Sequence, residues 1–161
     1  MEKRFGLLSA AIALVALGVG VVSPAFGSSG DDDAQRTIRL VAINTESNFL
    51  DFGAEGDTLG DYFVFTHKLV RRGEQVGHVG GQCTIVVSAV AGAESEPQCV
   101  VTASLRGGQI TTQVLIGPHG VTGDIVQAIT GGTDKYTSAE GELLIQGVSD
   151  TKEIWTYILK D

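Results

Sequence analysis

The stretch Ala128-Ile129-Thr130-Gly131-Gly132-Thr133-Asp134-Lys135-Tyr136-Thr137-Ser138-Ala139-Glu140-Gly141 reads as a short apolar strand, a double-glycine turn, an aromatic residue and the opening of a second strand. Gly131 and Gly132 reach positive φ without a Cβ clash, so the chain can reverse tightly there. Gly141 leaves room for a neighbouring backbone or side chain to come close. The segment is thus built for a sheet of sequential neighbours.

The same grammar extends in both directions. From Arg36 onward no amphipathic helical period of useful length occurs; β-branched runs alternate with glycine-rich turns. Strands are expected at 37–44, 62–71, 75–90, 97–105, 109–116, 125–130, 139–147 and 153–159. Turns such as Arg106-Gly107-Gly108 and Gly117-Pro118-His119-Gly120 join them. Strands in this number, linked mostly by short turns, pair consecutively and antiparallel. Closing such a sheet removes both edges and leaves an interior wide enough for one small ligand. A β-sandwich of the same strands is the competing architecture. Within 75–90, Cys83, Ile85, Val87 and Ala89 share one face, and Gln82, Thr84, Val86 and Ser88 the other. Both faces are semi-apolar, which suits a barrel whose outside also meets another subunit.

The ends of the chain carry different signals. Lys3 and Arg4 precede a mostly apolar run from Phe5 to Val22, and Ala25-Phe26-Gly27 supplies small residues for cleavage. That is the pattern of a secretory signal peptide over residues 1–27, with an extracellular destination. A retained membrane anchor is the alternative, since the run only reaches the ~17-residue lower limit for a span. Residues 28–36 are polar and acidic and read as a disordered leader, leaving 37–161 as the barrel domain. The formal charge of −8 becomes one unit more negative once Lys3, Arg4 and Glu2 are removed. Such a chain repels phosphate backbones and anionic headgroups, which argues against nucleic acid and stable membrane association. Two cysteines in an exported chain point to a Cys83–Cys99 disulfide across a hairpin that turns at Ala91-Gly92-Ala93-Glu94-Ser95. Two free thiols are the alternative.

Leu59-Gly60-Asp61, Phe65-Thr66-His67-Lys68-Leu69, Gly77, Gly81-Gln82-Cys83, Gly117-Pro118-His119, Ala128 to Gly132, Tyr136 and Ala139-Glu140-Gly141 follow one another in a telling order. In that order and spacing the chain resembles the allene oxide cyclase family and its wider superfamily, which includes plant dirigent proteins. The resemblance spans roughly residues 38–160. It implies an all-β, eight-stranded antiparallel up-and-down barrel (calycin-like) with a hydrophobic cavity, in dimers or trimers. It also implies action without a metal or organic cofactor, by holding a reactive intermediate in one conformation. Carried over by position, the family's first-strand asparagine falls on Asn44 and its pocket cysteine on Cys83. The second asparagine falls on His67 and the pocket tyrosine on His119. The family's first-strand carboxylate falls on Ala42, which cannot serve. Glu46 shares the strand face of Ala42 and Asn44 but lies further along.

His67, His119 and Asn44 are therefore the candidate catalytic or orienting residues. Imidazole exchanges a proton near neutral pH, and an inward His67 would be a polar group between Phe65 and Leu69. Phe63, Phe65, Ile85, Val101, Trp155 and Tyr157 are the expected ligand-binding wall. His78 forms no ligand set with another histidine or a cysteine, so no metal site is expected. No nucleophile elbow or phosphate loop occurs. The expected function is a secreted barrel that binds a small hydrophobic molecule and steers a cofactor-free cyclisation or isomerisation. A non-catalytic, lipocalin-like or dirigent-like binding barrel is the alternative, and self-association through the outer face is a third.

Overall fold

Alternation of β-branched and aromatic residues with polar ones puts every second side chain on the same face of a strand. In the computed structural model, which describes residues 35–89, 94–117 and 123–160, that pattern yields eight strands. They are β1 (Gln35–Leu50), β2 (Tyr62–Arg71), β3 (Glu74–Val87), β4 (Glu96–Leu105), β5 (Gly108–Leu115), β6 (Ile125–Gly132), β7 (Glu140–Ser149) and β8 (Lys152–Lys160). Each pairs antiparallel with the next, and β8 returns to β1, so the sheet is a closed barrel and not a sandwich. Closure leaves no unpaired strand edge.

β1 departs most from expectation. It starts at Gln35, inside the segment expected to be leader, and runs to Leu50 instead of ending at Asn44. It can continue because it contains a bulge. Asn44 pairs with His67 and Glu46 with Thr66, so Thr45 is the extra residue, its hydroxyl bonded to the Thr66 carbonyl at 3.0 Å. A bulge reverses which residues face inward. Glu46, expected beside Asn44, is exposed on the outside, and Ser47 comes opposite Phe65.

Among the described residues, side chains pack solidly at one end of the barrel. At the end where β1 begins, Leu40, Leu69, Val79, Ile110, Leu143 and Leu159 pack together, each at most 3% exposed. The stretch Gly131 to Gly141 closes that end. Gly131 (φ +146°) sits where the β5–β6 register shifts, and a 3-10 turn (Asp134–Tyr136) folds the Tyr136 ring into the core. A Cβ on Gly132 would strike the carbonyl oxygens of Gln109 and Tyr136. Among the described residues the opposite end has no such plug. Its wall owes its shape partly to Gly81, where a Cβ would run into the Phe65 ring lying across the backbone. Cys83 and Cys99 face each other directly on β3 and β4 and form a disulfide with a Cα–Cα distance of 3.9 Å. Of the turn expected at 91–95, residues 91–93 lie outside the described residues.

The loop between β1 and β2 is tied down by Asp61, which is fully buried. Its carboxylate accepts the Phe52 and Thr58 backbone N–H groups at 2.6 and 2.7 Å and the Thr58 hydroxyl at 2.9 Å. Those bonds to Phe52 and Thr58 hold its pKa below the usual carboxylate range, against the opposing effect of burial. The loop is also stitched to β3, since Ile85 donates to the Asp61 carbonyl and accepts from Gly60.

Gly141 gives a direct test of the packing at the closed end. It holds φ at +123°, and a Cβ there would strike the Ile158 carbonyl oxygen of β8. Gly141→Ala is expected to cost roughly 3 kcal/mol in denaturant unfolding. Gly147→Ala, on the same strand with nothing within 4 Å of a Cβ, is expected to change stability by less than about 0.5 kcal/mol. Equal effects at the two sites would contradict the assigned close approach.

Candidate functional site

Where the packed half ends, a chamber of about 350 Å³ begins. Trp155 and Ile145 belong to both the core and the chamber and form its floor. Phe63, Phe65 and His67 alternate along β2 and make one wall, with the Cys83–Cys99 disulfide beside them. Ile116, Ile125 and Gln127 contribute the far side, and Asn44, Ser47 and Glu153 complete the ring. The aromatic rings run as a continuous strip. Centroids are 6.1 Å apart for Phe63–Phe65, 5.1 Å for Phe65–His67 and 5.6 Å for His67–Trp155.

The polar centre of the chamber is a carboxylate next to an imidazole. Glu153 on β8 pairs in register with Ala42, and Asn44, two residues further along β1, pairs with His67. The closure of β1 on β8 therefore brings Glu153 beside His67. Glu153 Oε2 lies 3.8 Å from His67 Nε2 and accepts the Trp155 indole N–H at 2.6 Å. A carboxylate thus stands on the neighbouring strand, in register with Ala42. A separation of 3.8 Å is too long for a hydrogen bond, so a guest atom or a water is needed to link the two groups.

His67 is only 7% exposed. Burial pushes its pKa below the ordinary 6.5, partly offset by the Glu153 charge. The ring is therefore neutral at pH 7, and the nearby carboxylate favours the tautomer with its proton on Nε2. Nδ1 is sealed and has no partner among the described residues. Leaving a buried polar atom unpaired costs about 1–3 kcal/mol, and such costs concentrate at working sites.

The structure brings together most of the residues singled out from sequence. Asn44, His67, Phe63, Phe65, Cys83, Cys99 and Trp155 all border the chamber. Val101 and Tyr157 do not: both lie deeper, in the packed core. Burial keeps the Tyr157 phenol protonated far above its usual range, with Tyr136 nearby adding to the effect. Ile85 is buried at the mouth, where its backbone holds the β1–β2 loop, and does not border the chamber. His119 lies outside the described residues. Glu153 and Gln127 were not anticipated, although Glu153 shares the face of Trp155 and Tyr157, and Gln127 that of Ile125 and Ile129. Among the described residues no group of His, Cys, Asp and Glu could hold a metal ion. Nor is any described helix long and apolar enough to cross a membrane.

The sequence matches the family described as the allene oxide cyclase barrel-like domain over residues 41–159. Among solved structures, a pyocyanin demethylase superposes with a TM-score of 0.66 at 33% identity, covering 78% of this chain and 98% of that one. An exo-specific intermolecular Diels-Alderase gives 0.64 at 16% identity, covering 80% and 99%. A pterocarpan synthase dirigent protein gives 0.56 at 15% identity, covering 78% and 87%. At such low identity the last two show a shared fold alone. No curated protein matches the sequence.

The electrostatics of the pair can be checked by titration. In NMR, His67 is expected to titrate below 6.5, and Glu153→Gln should lower its midpoint further, because the charge that favours imidazolium is gone. Protonating His67 then weakens the fold: its contribution is intact above 6.5 and declines as pH falls from there through the folded-state value. A midpoint that rises in Glu153→Gln would contradict the arrangement.

Proposed function

The chain belongs to the allene oxide cyclase barrel-like family, and on that premise we propose that it is an enzyme acting on a small, flat, conjugated molecule held in the chamber. The observation that carries this is the Glu153–His67 pair, set in an aromatic-walled space of about 350 Å³. That volume is near the lower end of ligand sites, which run from about 300 to 1,000 Å³, and suits two or three fused rings. Trp155, Phe63 and Phe65 supply apolar faces for such a guest.

The chemistry that fits is proton transfer coupled to rearrangement, as in an isomerase or cyclase. Glu153 takes a proton from an acidified C–H or N–H of the guest and returns it at another atom of the rearranged product, so that the guest neither gains nor loses atoms. Neutral His67 donates a hydrogen bond from Nε2–H to charge developing on the conjugated system. The chamber restricts the guest to one conformation, which adds a contribution from orientation. Pyocyanin, named for the 33% identical relative, is a flat heteroaromatic of suitable size and the first compound to try. Export directed by residues 1–27 and assembly as a dimer or trimer belong to the same proposal. Assembly is supported by apolar side chains on the outer surface, with Val41 38%, Val126 49% and Val100 52% exposed.

Full-length secreted protein should convert pyocyanin or a linear polyene of similar size to a single product, followed by absorbance and chromatography. Glu153→Gln and His67→Gln should each lower kcat/KM by about 10²–10⁴-fold. The wild-type rate should be level above pH 7 and fall on acidification, as a charged His67 draws the Glu153 carboxylate to itself and makes it a weaker base. Guests bound tightly but recovered unchanged would contradict catalysis and leave a carrier barrel.

A further inference from the structure

We infer that Gln127 selects the guest by donating a hydrogen bond to a carbonyl or similar acceptor on the edge facing away from His67 and Glu153. The inference rests on the chamber being the binding site, and it narrows the class of molecule that enters.

Gln127 sits on β6, four strands round the barrel from the β2 strand that bears His67, and both residues border the same chamber. It is 4% exposed, between Ile125 and Ile129 on an inward face that is otherwise apolar. A polar side chain in such a wall destabilises the fold unless its groups find partners. Only one end has one. The Thr112 hydroxyl, itself 1% exposed, lies 2.6 Å from Gln127 Oε1. That distance falls in the range of O–H···O bonds and is shorter than the usual N–H···O bond. The hydroxyl therefore donates and the amide oxygen accepts, which fixes how the amide is turned.

The remaining end is the amide nitrogen with its two N–H donors. Among the described residues the unpartnered, sealed polar side-chain atoms are His67 Nδ1 and Thr156 Oγ1. Among the described residues the Gln127 nitrogen has no protein acceptor, and the side chain borders the chamber. That nitrogen has only donors to offer, and a guest satisfies it with a carbonyl, a phenolate or a ring nitrogen. A guest with a donor at that edge meets a donor. The chamber thus reads two edges of one flat molecule: an acceptor edge at Gln127 and a proton-yielding edge at Glu153. Thr112 is a positioning residue, acting through the amide it orients.

Three tricyclic probes of nearly equal size separate the possibilities: fluorene has a methylene at the key edge, 9-fluorenone a carbonyl, and carbazole an N–H. Trp155 is the sole tryptophan of the chain and borders the chamber, so quenching of its fluorescence reports binding. Fluorenone is expected to bind about tenfold more tightly than fluorene. Gln127→Leu should erase the fluorenone preference while retaining fluorene binding. Gln127→Glu keeps the shape but offers only acceptors, and should turn the order toward carbazole. Thr112→Val should reduce the preference to roughly threefold, and Thr112→Ser should restore it, which a purely structural role for Thr112 would not do. A fluorenone preference over fluorene that survives in Gln127→Leu, or no such preference in the wild type, would overturn the assignment while leaving the chamber in place. If none of the three probes quenches Trp155, the chamber itself is not the binding site and both proposals fall.

Discussion

The pairing of β1 with β8 is the constraint on which the other features depend. It turns a meander of strands into a cylinder, and a cylinder of this strand number has an interior of nearly fixed width. It also decides the chemistry of that interior. Ala42 and Glu153 are register partners across this seam, so the smallest inward side chain of β1 lies beside the carboxylate of β8. His67 reaches Glu153 over that gap from β2. Without the seam the two groups would be far apart in the chain and unrelated in space.

A fixed width forces a division of labour along the barrel axis. Large apolar residues and the Tyr136 plug fill one half, which leaves no room there for a guest and supplies most of the apolar burial that stabilises a domain of this size. In the other half, Gly81 removes a side chain so that Phe65 can lie flat along the wall. The disulfide staples β3 to β4 at the same level, and Asp61 pins the adjoining loop. These devices keep an apolar space open that would otherwise tend to collapse. The sealed Nδ1 of His67 and the half-satisfied Gln127 amide are the polar costs carried by that open half.

Much of the fold was legible in the chain because period-two alternation and glycine turns are local signals. β2 begins and ends where alternation places it, and the other strands after β1 differ by only a few residues at either end. What escaped was set by single residues or by depth. The bulge at Thr45 has no distinctive sequence mark, yet it moves Glu46 outside and Ser47 in. Alternation tells which face a residue occupies but not its height in the barrel. Tyr157 and Val101 were therefore placed on the correct face and at the wrong level, down in the core. Glu153 was missed for a different reason. It was overlooked as a charged residue at a strand start, although it lies two positions before Trp155 on the same face. The resemblance to the cyclase family pointed to a carboxylate on the first strand, whereas this barrel places one across the seam from it.

The central claim is that the unplugged half of the barrel is a real chamber that receives a flat guest beside Glu153. A crystal structure of the protein grown with 9-fluorenone tests it most directly. The account predicts the ring system between Trp155 and the Phe63–Phe65 wall, with one edge within contact distance of the Glu153 carboxylate. Phe63 and Phe65 folded inward to fill the space, with the compound absent or bound on the outer surface, would contradict it.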